Sequence, residues 1–182
     1  MPKVKWALGP RGTLVVGCPA EYTFDILSPD DEVLRVTRPY RSVAISDEEK
    51  DFLAAHAGIG SLPDEKPAYA RLIIPGDGRI WVRPSFPSRR VPLPQETFDA
   101  TGVSHTWVPS SAGSLDVFSS DGRWLAVVKL PQGIAYSGFP NEPSMVIRGD
   151  TIWAVARDSF DVEYVDRYEV PRLSDLDGGS AN

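Results

Sequence analysis

The sequence predicts an all-β chain built from about three antiparallel meanders, with one short helix between the first and the second. A repeated phrase carries this reading. A tight Gly/Asp turn runs straight into apolar and aromatic residues, as GDGRIWV from Gly76 to Val82 and SDGRWLAVV from Ser120 to Val128. Looser copies are PRGTLVVG (Pro10 to Gly17), SPDDEVLRV (Ser28 to Val36) and RGDTIWAVA (Arg148 to Ala156). An Asp-Gly pair supplies the positive φ that a two-residue hairpin loop requires, so Gly78 and Gly122 are expected at positive φ. The residues after each turn are β-branched or aromatic, as strands prefer. Seventeen Pro and fifteen Gly supply the punctuation that many short strands need.

In the first unit, about 3–40, Trp6 to Leu8, Thr13 to Gly17, Tyr22 to Leu27 and Val33 to Thr37 make a four-stranded meander. Its turns are Pro10-Arg11-Gly12 and Pro29-Asp30-Asp31. From Ser46 to His56 the pattern is helical: Ser46 caps, Glu49 stands three residues on as in a capping box, and acidic residues fill the first turn. Gly58 ends this helix.

The second unit, about 69–130, has the hairpins Arg71–Ile74 with Arg79–Arg83 and Leu115–Phe118 with Trp124–Leu130. Its turns lie 44 residues apart (Gly78 to Gly122), against 19 in the first unit (Gly12 to Asp31). The difference is a loop insertion, about 84–113, rich in Pro, Ser and Thr. Large insertions at one end of a sheet are where binding residues concentrate. The third unit, about 144–170, pairs Met145–Ile147 with Thr151–Ala156 and adds Val162–Val170, with no fourth strand. The domain is thus expected over 1–173, and residues 174–182 (SDLDGGSAN) read as a disordered tail.

Bulk properties exclude several function classes. The chain has 182 residues and a net charge of −6, which does not suit a surface that must replace phosphate counterions, so no nucleic-acid partner is expected. No apolar run approaches the ~20 residues of a membrane span. The single cysteine, Cys18, excludes an internal disulfide and a cysteine zinc cluster. Leu14-Val15-Val16-Gly17-Cys18 has the look of a lipoprotein cleavage box. Pro10, Arg11 and Gly12 interrupt the apolar stretch that a signal peptide requires, and Cys18 reads as a buried thiol in a strand.

Chemistry-bearing motifs are few. There is no phosphate loop, nucleophile elbow or His-Glu-x-x-His. His56, at the helix end, and His105, in the insertion, read as surface residues. Trp81, Trp124 and Trp153 lie just after turns, inside strands, and are expected in the core. Trp107 stands apart among Pro and Ser, where it either stacks on a ligand ring or anchors its own loop. Arg83, Arg89 and Arg90 flank Phe86 on an otherwise acidic chain. With Trp107 they form the candidate ligand-binding set, since guanidinium groups read anions by bidentate contacts. Solvated loop arginines are the competing reading. Asp158 is placed to accept backbone N–H bonds in the last turn. No metal site and no cofactor are expected.

Four-stranded antiparallel meanders, repeated and joined by short links, are the blades of a β-propeller. Asp77-Gly78-Arg79-Ile80-Trp81-Val82, the run Leu115 to Leu125, the closing run Val155 to Val165 and the acidic helix from Ser46 resemble the C-terminal half of a bacterial six-bladed propeller of the NHL/TolB-like kind. The resemblance implies a partial propeller of about three blades and an extracytoplasmic setting. It also implies a non-catalytic ligand- or protein-binding, or scaffold, function. The alternative is a propeller enzyme, a metal-dependent hydrolase, lactonase-like protein or lyase, with its site at the central axis. The strands expected innermost (Trp6–Leu8, Arg71–Ile74, Met145–Ile147) carry no acidic ligand for such a metal. Three blades leave apolar faces open, so the expected partners are the missing blades or a second copy forming a homodimer.

Overall fold

The computed structural model describes residues 3–30, 32–57, 62–110, 113–130, 136–137, 142–143, 145–158 and 162–170. Three antiparallel sheets succeed one another along the chain. Sheet 1 is the meander β1 (Lys5–Leu8), β2 (Leu14–Gly17), β3 (Thr23–Leu27) and β4 (Val33–Thr37). Sheet 2 joins β5 (Tyr69–Ile73) and β6 (Ile80–Pro84) to β9 (Ser114–Phe118) and β10 (Trp124–Lys129), in the order β10-β9-β6-β5. Between β6 and β9 stand β7 (Ser88–Pro92), helix α2 (Gln95–Thr101) and β8 (His105–Pro109). Two-residue strands β11 (Tyr136–Ser137) and β12 (Glu142–Pro143) pair with each other. Sheet 3 comprises β13 (Met145–Arg148), β14 (Thr151–Arg157) and β15 (Glu163–Glu169). Gly58, the region after Val170 and the tail lie outside the described residues.

The repeated turns behave as glycine chemistry requires, with one refinement. Gly78 and Gly122 have φ of 83° and 80°. Each donates its N–H to the carbonyl three residues back, Pro75 and Ser119 respectively. Around Gly122 the Ser119 N–H also reaches the Arg123 carbonyl, so this loop has three residues, with glycine in the left-handed position, rather than the expected two. The two-residue loop occurs instead at Gly149-Asp150, where Arg148 faces Thr151 and Gly149 has φ 54°.

Alternation along the central strands packs the sheets face to face. In β6, Ile80 and Val82 point to sheet 1 and Trp81 to sheet 3, and all three are buried. In β9, Phe118 joins the first interface, whereas Leu115 and Val117 join the second. The interface of sheets 1 and 2 gathers Val15, Tyr22, Phe24, Ile26, Tyr69 and Leu72 around them. That of sheets 2 and 3 gathers Leu125, Val128, Leu130, Ile147, Ile152 and Ala154. Burying each large apolar side chain contributes about 1.5–3 kcal/mol, and this, rather than hairpin propensity, holds the sheets together.

The far faces of the outer sheets remain open. Trp6, Leu8 and Val33 are largely exposed on sheet 1, as are Val146 and Val165 on sheet 3. Trp153, expected in the core, faces Val146 and Arg167 across its strands and lies on that outward side, half-buried. Trp124, also expected in the core, is 48% exposed; after the strand irregularity between Trp124 and Ala126 it pairs with Phe118 on the side of sheet 1, at the rim of that interface, where the Arg38 guanidinium covers its ring at 5.0 Å. Cys18 lies just past the last residue of β2 and is exposed, not buried. Asp158 accepts the Val162 N–H at 3.0 Å, as its place in the turn implies.

The insertion departs most from expectation. The stretch read as a loop folds into the β7–β8 hairpin, registered from Ser88↔Pro109 to Pro92↔His105, with α2 across its tip. Pro94 opens α2 and Gly102, at φ 71°, closes it, which reconciles its Pro-rich sequence with regular structure. The chain therefore has two α-helices among its described residues, not one, besides a single 3-10 turn at Pro10–Gly12.

Candidate functional site

The expected helix forms as α1 (Asp47–Ala57). Ser46 Oγ accepts the Glu49 N–H at 3.2 Å, which is one arm of the capping box. The Glu49 side chain does not make the reciprocal arm but turns to Lys66, with Nζ to Oε1 at 2.9 Å. Glu49, Phe52, Leu53 and His56 recur at helical spacing and share one face. That face looks toward the insertion: the Phe52 ring lies 4.8 Å from His105 and 4.4 Å from His56.

In the hairpin, cross-strand register puts Ser88, Arg90 and Pro92 on the same face as Pro109, Trp107 and His105. Between this face, α1 and the end of β6 lies a cleft of about 380 Å³. Phe52, Leu53, Phe86 and Trp107 form its apolar walls, and Glu49, Lys66, Arg83 and Ser88 supply its polar groups. Gly113 helps to seat Phe86. A Cβ there would stand 2.8 Å from the ring, so no other residue lets the chain pass so close.

The polar groups are held deep in the cleft. Arg83 is 4% exposed and Glu49 7%. Lys66 donates to Glu49 and to the Ser88 hydroxyl. At the open end of the hairpin, near Phe52, Arg90 lies 3.4 Å from His105 Nδ1, and Ser104 Oγ approaches the same atom at 3.2 Å. A guanidinium has no acceptor, so Nδ1 must accept. Desolvation, then the charges of Arg90 and His56, hold the His105 pKa below its ordinary value, which favours the neutral ring this contact needs.

The structure thus divides the expected set. Arg83 and Trp107 line one cleft, and Arg90 shares the hairpin face of Trp107, exposed. Arg89 lies on the opposite face, exposed, because adjacent strand residues alternate, and it does not line this cleft. His105 packs 4.8 Å from Phe52, a wall of the cleft. Sequence reasoning misses Phe52, Lys66 and Ser88. Phe52 has a signal, its i+3 spacing from Glu49, whereas nothing in the local sequence joins Lys66 to Ser88.

Chemically, the cleft combines aromatic walls with hydrogen-bonding and charged groups. A serine nucleophile needs a base with a lone pair. Lys66 instead presents an ammonium that donates to both Ser88 and Glu49. Among the described residues, no three His, Cys, Asp or Glu side chains gather as a metal site, and no helix is long and apolar enough to cross a membrane. No protein-family model matches the chain, and no curated protein matches it.

Proposed function

We propose that the chain is a non-catalytic binding module, a partial β-propeller of about three blades whose ligand site is the cleft between α1 and the β7–β8 hairpin. The observation that carries this reading is the cleft itself, with aromatic walls over polar groups, formed where an insertion leaves a stack of meanders. Sites of this size and composition suit small molecules. The binding reading stands ahead of a hydrolase or lyase because Ser88 is held by an ammonium and not by a base. Sheets 1, 2 and 3 are its blades, and the NHL/TolB-like resemblance of their turns supports that assignment.

Thermal unfolding against a diverse set of small compounds tests the site. A ligand of the folded state raises Tm by mass action. Compounds that raise Tm for the natural chain and not for Trp107→Ala are expected; compounds that raise both equally would place binding elsewhere.

The propeller reading also gives the outer faces a role. Trp6, Leu8 and Val33 at one end, with Val146 and Val165 at the other, are contacts for further blades, supplied by a second copy in head-to-tail pairing. Sedimentation at low micromolar concentration is expected to show a dimer. A monomer with a cooperative melt would contradict this.

A further inference from the structure

The chain has two histidines, and the fold brings both against one phenylalanine. His56 follows Phe52 by one turn of α1 and stacks on its ring at 4.4 Å, with Nδ1 donating to the Phe52 carbonyl at 2.9 Å. His105 reaches the same ring from β8, at 4.8 Å and tilted by 45°. The Phe52–His105 contact is thus one tie between α1 and the β7–β8 hairpin; the chain from Glu49 through Lys66 to Ser88 is another. Imidazole is the side chain whose charge ordinarily changes between about pH 5 and 8, so the first tie is open to control by protons.

The charged groups facing His105 come from both elements. Arg90 of β7 lies 3.4 Å from Nδ1, and His56 and Glu48 stand on α1. Ser104 Oγ, at 3.2 Å, is a neutral neighbour. A neutral ring offers Arg90 the lone pair that its guanidinium needs. Protonation removes that lone pair, sets cation against cation and leaves an imidazolium partly stripped of water beside the Phe52 ring. Glu48 favours the charged ring, and the Phe52 face adds a weak cation–π attraction. Desolvation, Arg90 and His56 outweigh Glu48, since together they hold the His105 pKa below its ordinary 6.5. The docked arrangement therefore holds fewer protons than the undocked one. Its stability is complete above pH ~6.5 and is lost as pH falls through the docked ring's lower value.

We propose that His105 is a proton-operated latch on the cleft: neutral, it holds the β7–β8 hairpin against Phe52 of α1, and protonated, it releases that wall. This rests on the ligand-site reading above and gives that site its regulation, docked near neutrality and loosely walled in acid. Only a solvent proton is gained or lost.

Hydrogen–deuterium exchange of the intact chain at about pH 7.5 and about pH 5.5, with each rate divided by its intrinsic rate at that pH, tests the latch without any ligand. Amides of α1 and β8 are expected to lose protection at least about threefold at the lower pH, while β2, β3 and β6 keep theirs. His105→Phe keeps a ring against Phe52 and has no site for a proton, so it should abolish the pH difference. Ring-proton NMR of the natural chain should give His105 a titration midpoint below 6.5, and Arg90→Gln should raise it. Equal protection of α1 and β8 at both pH values would overturn the latch, as would the same pH difference in His105→Phe or a His105 midpoint at or above 6.5. The NMR midpoint needs no substitution at His105, so it decides the matter even where that variant fails to fold. The Trp107→Ala melting comparison decides the ligand-site reading separately.

Discussion

The two interfaces between the sheets solve one packing problem with different chemistry. Between sheets 1 and 2 the contact is aromatic: Phe24 meets Phe118 edge-on at 5.3 Å, and Tyr22 meets Tyr69 at 5.6 Å. A charged group is buried inside it. Asp116 accepts the Tyr22 hydroxyl at 2.6 Å and pairs with Arg38, which also faces Tyr22 and Trp124. Between sheets 2 and 3 the contact is largely aliphatic around Trp81, and its ion pair lies at the edge, Arg79 to Asp150 at 2.6 Å. Aliphatic surfaces tolerate sliding, whereas a buried carboxylate with two fixed partners allows one register only. The first interface is therefore the specific one and the second the more adaptable.

Substitutions can break this comparison. The largest effect is expected at Asp116→Ala, about 3 kcal/mol of lost stability, because Tyr22 and Arg38 lose their shared acceptor inside the packed face. Denaturant unfolding measures it. A loss below that of Arg79→Ala would reverse the ranking of the interfaces.

The two repeated turns sharpen the contrast. A Cβ on Gly122 would lie 2.5 Å from Val36 Cγ2 and 3.1 Å from Leu34 Cδ2, against sheet 1. At Gly78 the nearest atom is 3.6 Å away. Both alanine substitutions bear the positive-φ strain, about 1 kcal/mol, but Gly122→Ala adds a clash and should cost about 2–3 kcal/mol. Equal losses would show that sheet 1 yields at that turn. Arg79→Ala is expected to cost about 1 kcal/mol, since the Asp150 carboxylate it holds is one-third exposed.

The smallest effect near neutrality grows in alkali. Burial, then the hydrogen bond to Asp116, pushes the Tyr22 phenol far above its ordinary 10.0, and burial raises Tyr69 as well. Below pH ~10 both states keep these protons. Above it only the unfolded chain releases them, so stability falls as pH rises, by up to about 1.4 kcal/mol per pH unit for each tyrosine. Urea midpoints between pH 9 and 11 should show a shallower decline for Tyr22→Phe; an unchanged slope would remove Tyr22 from this account.

The meanders are legible in the sequence because their determinants are local. Gly78 and Gly122 mark turns that need positive φ, Ser46 marks a helix start, and period-2 alternation gives each strand two faces. Trp124 and Trp153 defeat the same logic, because apolarity says that a residue packs, but not on which side of a sheet, nor whether that side meets another. The insertion is illegible for a related reason: Pro92 and Pro94 read as loop, though Pro92 sits at a strand end and Pro94 just before a helix, where proline costs little. The cleft is half legible. Arg83 and Trp107 stand out as unusual residue types, whereas Glu49, Lys66 and Ser88 converge from three segments by tertiary contact alone.

Hydrogen–deuterium exchange with and without a compound that raises the Tm of the natural chain but not of Trp107→Ala tests the central claim, that the space under the insertion is the ligand site, most directly. Protection should rise in α1, in the segment from the end of β6 through β7, and in β8, while β1 to β4 and β13 to β15 stay unchanged. Saturating ligand that protects the outer sheets and leaves α1 and the hairpin as before would contradict it.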